Sequence, residues 1–349
     1  MEKRRNFVVA LKLACVFAGL VFGAGFASGR EHLTYFLQYG WWGVGGVLLA
    51  GVVMALSGWA VMDICVRHGI RDYRSFMRLV FGARFGVIFD IVTGLFIFVL
   101  FSAMLAGAGA LGQESVDLPF SLGSMIIAFL CFVILLSDAK GIIEMNVIIT
   151  PILVIGALSL GIYTIVSGTY VEADLAYANA AAMPLMALVY ASYNMLTAIA
   201  VLSAIPTIVT SKKIARAGGI LGGVVITAIG IIFAVALLLN LPIVRFAQLP
   251  VLALAGHTAP WVFYAYTFIL FLAIFTTAAT NAFALIKWLQ SRTGFSKMQL
   301  KILVCATGVT AAHLGFSTIV NHAYRAFGFL GLFIITIILL RFFQNKKQA

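Results

Sequence analysis

Four glycines fall within eleven residues near the start of the chain, at Gly19, Gly23, Gly25 and Gly29, inside an apolar run. Glycine in a helix interior costs about 1 kcal/mol against alanine, so four together weaken one helix at one depth. Two readings fit the spacing. Gly19, Gly23 and Ala27 recur every four residues, the pattern that lets another helix approach closely. Alternatively the helix unwinds around 23–25, turning carbonyls toward a cation and N–H groups toward an anion. Arg30 and Glu31 follow directly, and a charge inside or beside a span is a functional candidate by default. Two further segments carry polar groups: Tyr190, Ser192, Tyr193, Asn194 and Thr197, and then Thr276 with Thr277, one turn after Ala273. Oxygen ligands suit hard cations, although threonine hydroxyls also bond back to their own helix.

The elements that hold these residues are apolar. Of 349 residues, 63% are hydrophobic and only 10% are charged, against about 25% in a soluble domain. That excludes a disordered chain, a nucleic-acid-binding domain and an ordinary soluble enzyme. Crossing hydrocarbon takes about 20 apolar residues, and the pattern predicts ten helices near 8–38 (interrupted), 41–66, 86–112, 119–137, 142–167, 178–205, 217–240, 260–290, 298–316 and 322–343. The runs are continuously apolar rather than alternating, which excludes a membrane barrel. The expected fold is an all-α integral membrane domain over 1–349.

The net charge of +12 then becomes a topological signal. With a cytoplasmic N-terminus, 20 of the 23 Lys and Arg fall on the inner side and only Arg30, Arg245 and Arg325 on the outer side. Both termini are expected in the cytoplasm. Asp63 and Asp90 lie near cytoplasmic helix ends, Asp63 one turn before Arg67, as an anchoring ion pair or as an inner gate with Arg4 or Arg5. The four cysteines sit in apolar runs without a CxxC pair, and no Gly-x-Ser-x-Gly, phosphate loop or metal-ligand spacing occurs, so no catalytic residue, cofactor or enzyme activity is expected.

Polar or small-residue interruptions in the first members of two five-helix halves, 8–167 and 178–343, point to a transporter built from inverted repeats. The ten-span layout with breaks in spans one and six resembles the amino acid–polyamine–organocation superfamily with its LeuT-type fold. The run from Gly23 to Glu31 and that from Tyr190 to Asn194 are similar to the YkvI-type family of bacterial membrane proteins. Phe22 to Gly25 and Tyr193 to Ala198 resemble, more distantly, branched-chain amino acid:cation symporters.

This resemblance implies a secondary active transporter of the bacterial cytoplasmic membrane, carrying an amino acid or similar small solute with sodium. The sodium would lie on the carbonyls of Gly19, Phe22 and Ala273 and the hydroxyls of Thr276 and Thr277. The solute would sit between Ala24, Gly25, Phe26, Ala27 and Ser28 on one side and Tyr190, Ser192, Tyr193 and Asn194 on the other. N–H groups near Gly25 and Ala27 would bind a carboxylate, and with no obvious charge reserved for a side chain, a neutral amino acid is the expected solute. Arg30 and Glu31 would gate the outer side, or Glu31 would pair with Arg325 or Arg245. A proton-coupled transporter or exchanger, with Glu31 carrying the proton, is the alternative, and a ligand-sensing receptor subunit of the same fold is another.

Overall fold

A backbone inside hydrocarbon finds no water, so a crossing segment must satisfy its own N–H and C=O groups, as a helix does. The computed structural model describes residues 2–70, 72–167, 177–203 and 211–347. Of the side chains at 2–5, 138–144, 146, 147, 150 and 345–347 nothing is described either. The outer loop 171–174, Arg71, and the side chains of Lys3, Arg4, Arg5, Lys140, Lys346 and Lys347 therefore lie outside the described residues, as does the inner gate expected from Arg4 or Arg5.

The described residues are helical nearly throughout and contain no strand. In chain order the helices are α1 (Glu2–Val21), α2 (Ala24–Ala27), α3 (Arg30–Tyr35), α4 (Trp42–His68), α5 (Tyr73–Val116), α6 (Phe120–Leu135), α7 (Asp138–Ser167), α8 (Met183–Leu202), α9 (Lys212–Leu238), α10 (Leu241–Val244), α11 (Pro250–Thr258), α12 (Pro260–Gln290), α13 (Lys297–Ala312), α14 (Phe316–Thr318) and α15 (Arg325–Lys347). A π-helical stretch, Ile319–Tyr324, joins the last two. Among the described residues, six helical segments are long and apolar enough to cross a membrane: α4, α5, α8, α9, α12 and the run Phe316–Gln344. Asn6–Val21, Phe120–Leu135 and Pro151–Ser167 are apolar but shorter.

Local chemistry sets several ends. Asp72 caps α5 by accepting from the Ser75 N–H (2.9 Å) and hydroxyl (2.7 Å), and these bonds hold its carboxyl below the usual carboxylate range. Ser296 and Gln299 form a capping box at the start of α13.

Small residues set the packing, as they must where lipid offers no hydrophobic gain for helix association. α4 and α9 approach through Gly51 against Thr227, Gly219 against the Trp59 backbone and Gly223 against Ala55. α1 joins them, with Leu13 over Gly218 and Phe17 over Gly58 and Gly222. α8 meets α15 where Val189 covers Gly328 and Ser192 covers Gly331. α12 packs against α5, α6 and α7 and also backs α2.

Candidate functional site

The first helix breaks twice. α1 ends at Val21, Gly23 is extended (φ −80°, ψ 179°), and the Gly23 N–H bonds to Val21 O (2.7 Å) instead of Gly19 O. The Gly19 carbonyl thereby loses its helical donor. One turn follows, α2, before Gly29 reverses the chain in the left-handed region (φ +77°) and α3 begins. A Cβ on Gly29 would also meet Val251 and Leu237 at 2.7 and 2.9 Å. Neighbouring elements collect the freed carbonyls: Val251 N–H donates to Ser28 O (2.9 Å) and the Tyr266 hydroxyl to Ala27 O (2.6 Å). The Ser28 hydroxyl donates to Gly25 O (3.1 Å). The expected unwinding at 23–25 is thus a break at Gly23 and a second at Gly29, with Gly25 inside the turn between them.

Gly25 has another task. A Cβ there would collide with the carboxylate of Glu31, which folds back over the turn. Glu31 is 5% exposed and its Oε2 is buried without a hydrogen-bond partner. The buried rings of Tyr35, Tyr190, Tyr193 and Tyr324 surround it. Ring centroids lie 5.6 Å apart for Tyr35–Tyr190, 5.4 Å for Tyr35–Tyr193 and Tyr190–Tyr193, and 5.2 Å for Tyr193–Tyr324. All four hydroxyls are buried; those of Tyr35 and Tyr324 have no partner, and those of Tyr190 and Tyr193 face the Glu31 carboxylate. One helix turn brings Glu31 and Tyr35 to one face of α3, α8 supplies Tyr190 and Tyr193, and the π-helical stretch supplies Tyr324. Such stretches often occur at functional sites because they re-aim side chains. A Thr34-to-Asn321 hydrogen bond (2.7 Å) ties that stretch to α3. An apolar cleft of about 270 Å³ between α5, α6 and α12 does not reach this cluster.

The remaining candidates divide. Phe26 points the other way, against Phe22, His32 and Phe233. Ala24, Ala27 and Ser28 are buried in the turn, but the Ala27 N–H bonds to Gly23 O (2.9 Å), which closes part of the expected carboxylate cradle. On α8, Tyr190 and Tyr193 face the first helix while Ser192 faces Gly331 of α15. The Ser192 hydroxyl donates to Leu188 O (2.6 Å), the Asn194 amide to Tyr190 O (3.0 Å) and the Thr197 hydroxyl to Asn194 O (3.0 Å). α8 runs without interruption from Met183 to Leu202, so the break expected at 190–194 is absent. The polar side chains bond back to their own helix, and no glycine in this segment loosens it.

Thr277 lies beside the first break: a Cβ on Gly23 would sit 3.3 Å from its Cγ2 and 3.7 Å from its Oγ1. Thr276 is buried, and its hydroxyl donates to Leu272 O (2.9 Å) and Ala273 O (3.2 Å). Phe22, between α1 and α2, and Ala273 of α12 are both buried, and α2 packs against α12. Among the described residues no group of three or more His, Cys, Asp or Glu converges on a metal site.

The charges pair differently from expectation. Glu31 forms no ion pair with Arg325 or Arg245 among the described residues. The Arg325 Nε is itself buried without a partner, and Arg245 stacks on Phe246 at 4.3 Å. The left-handed Gly29 turns Glu31 inward, while Arg30 donates outward to Ala247 O (3.1 Å), just before α11. On the opposite side Asp63 pairs with Arg67. Asp90 pairs with Arg292, beyond α12, and accepts from Trp288 Nε1 (3.2 Å).

Sequence reasoning missed Tyr35, Tyr324 and His32. The i, i+4 spacing of Glu31 and Tyr35 was the available signal. His32 is buried with an unpartnered Nδ1.

No family model matches the chain. It is 29% identical over 348 residues to the uncharacterized membrane protein YkvI of Bacillus subtilis, covering 97% of this chain and 98% of that protein. It is 23% identical over 338 residues to YyaD of the same organism, covering 95% and 96%. The fold is that of solved LeuT-type transporters. The Eremococcus coleocola manganese transporter superposes with a TM-score of 0.69 at 13% identity, over 97% of this chain and 80% of its own. MhsT, solved with L-phenylalanine, gives 0.65 at 15%, over 93% and 87%. Mhp1, a nucleobase-cation-symport-1 family transporter in a closed conformation, gives 0.63 at 14%, over 90% and 74%. The chain is a homologue of YkvI and a multi-pass membrane protein.

Proposed function

We propose that the chain is a secondary active transporter of the amino acid–polyamine–organocation superfamily that carries an amino acid or similar small organic solute together with sodium. The observation that carries this reading is the doubly broken first helix, held against α8 and α12 in a transporter fold. In this reading the α1–α3 run, α4 to α9, α12, α13 and the α14–α15 run make ten crossings, in two inverted halves over 8–167 and 178–343. The 20-to-3 distribution of Lys and Arg sets both termini in the cytoplasm of a bacterial plasma membrane.

Sodium takes the carbonyls of Gly19, Phe22 and Ala273 and the hydroxyls of Thr276 and Thr277. Contact between Gly23 and Thr277 supports this, as does the Gly19 carbonyl freed at the break. Thr276 must release Leu272 O and Ala273 O to serve the ion. The solute binds between the turn 24–28 and the tyrosines of α8, with Arg30 latching the outer side to Ala247. Each ligand favours the other because both hold the same broken segment.

Proton coupling through Glu31 is the second reading, favoured by the burial of that carboxylate without an ion pair. The test is thermal unfolding of the detergent-solubilised protein in sodium and in potassium at equal ionic strength. Sodium is expected to raise the melting temperature, and the Thr276→Ala/Thr277→Ala double variant to lose that rise. Equal melting in both salts would overturn the sodium site.

A further inference from the structure

Resting on the transporter reading above and narrowing its solute, we propose that the central site takes a small organic cation, an amine lacking a carboxylate, with Glu31 as its counter-ion. Three observations converge. The Glu31 carboxylate lies against Gly25, so the protein's own acid group occupies the backbone position where a solute carboxylate was expected. A second acid group there would meet a like charge in a buried site. Glu31 also has no cationic partner among the described residues, and its Oε2 is buried with its bonding capacity unused. A buried carboxylate left in that condition is unfavourable until a positive charge joins it or a proton neutralises it.

The third observation is the wall. Tyr35, Tyr190, Tyr193 and Tyr324 put four aromatic rings around one carboxylate, with neighbouring centroids 5.2 to 5.6 Å apart. Their four hydroxyls are buried, those of Tyr35 and Tyr324 without a partner and those of Tyr190 and Tyr193 facing Glu31. An ammonium group finds there a carboxylate for its charge, hydroxyl oxygens for its N–H groups and ring faces for its carbon-bound surface. Arg30 donates through Nη1 to Ala247 O while its Nε is buried without a partner, and His32 packs against Phe26 and Phe233. Arg325 and Arg30 are of opposite design, because the free Nε of either would hold a carboxylate if the solute had one.

The experiment uses the full chain in detergent with sodium present. Thermal-shift titrations compare primary alkylammonium ions from methyl to hexyl with the α-amino acids and the alcohols of the same carbon chains. At least one amine is expected to stabilise the protein, more tightly than its matched amino acid or alcohol. Glu31→Gln is expected to weaken that amine by at least about 30-fold, while Glu31→Asp keeps part of the affinity. Tyr193→Phe, which preserves the ring, is expected to weaken it less than Glu31→Gln. The unliganded melting curve of each variant shows whether it folds. Tighter binding of the amino acid, with loss in Arg325→Gln, would overturn the proposal in favour of a zwitterion. Equal binding of the alcohol, or no amine shift across the series, would overturn it as well. Cation binding without flux would sink the transporter reading alone, and flux of a solute that ignores Glu31 would sink this inference alone.

Discussion

The first helix and α8 both carry small or polar residues in the middle of a span, and they behave oppositely. The first helix opens at Gly23 and Gly29 and hands its carbonyls to Val251 and Tyr266. α8 keeps its ladder, and Ser192, Asn194 and Thr197 fold their side chains onto carbonyls of the same helix. Polarity alone therefore does not break a span here. Glycine does, where a second element stands ready to take the released backbone groups. The two regions divide the work: the first helix brings a carboxylate inward and α8 presents a rigid pair of tyrosines to it.

The division can be attacked from both sides. The largest effect is expected at Gly25→Val, whose side chain claims the volume of the Glu31 carboxylate. Overpacking of this kind destabilises by roughly 1–3 kcal/mol, and displacement of Glu31 should abolish amine binding; melting and titration of one sample read both. Gly29→Ala comes next. It places a Cβ at φ +77° against Val251 and Leu237, so a loss of about 1–3 kcal/mol is expected in thermal or denaturant unfolding. A cost near zero would mean that the reversal at Gly29 is not fixed. Ala191→Gly imports a helix breaker into α8 and should cost about 1 kcal/mol while leaving amine binding within twofold. Ser192→Ala is expected to change stability by less than about 0.5 kcal/mol. Its hydroxyl serves only Leu188 O, and its Cβ contact with Gly331 survives. A large loss there would show that α8 contributes more than its tyrosines.

What the sequence made legible follows the same line. Glycine spacing announced the break, since backbone freedom is a local property of residues 19–29. The apolar runs announced the helices, and Thr277 of the threonine pair lies beside the break at Gly23. The inward turn of Glu31 was not legible, because it depends on a left-handed Gly29 and on the space above Gly25. Nor was Tyr324, which joins from the far end of the chain through a π-helical stretch. Nor was a buried acid at the site legible, because Glu31 reads in sequence as an outer gating residue or as a partner of Arg325 or Arg245. The supposed interruption of α8 came from treating polar side chains as helix breakers, when their hydroxyl and amide groups reach back to the preceding turn.

The central claim is that the broken first helix moves a solute rather than only holding it. The most direct measurement is uptake of a stabilising alkylammonium ion into proteoliposomes, with an inward sodium gradient and with sodium equal on both sides. The expected result is accumulation above equilibrium that requires the gradient and disappears in Gly25→Val, but persists in Ser192→Ala. Specific binding of the same ion with no flux under sodium or proton gradients would contradict the claim and assign the fold to a receptor.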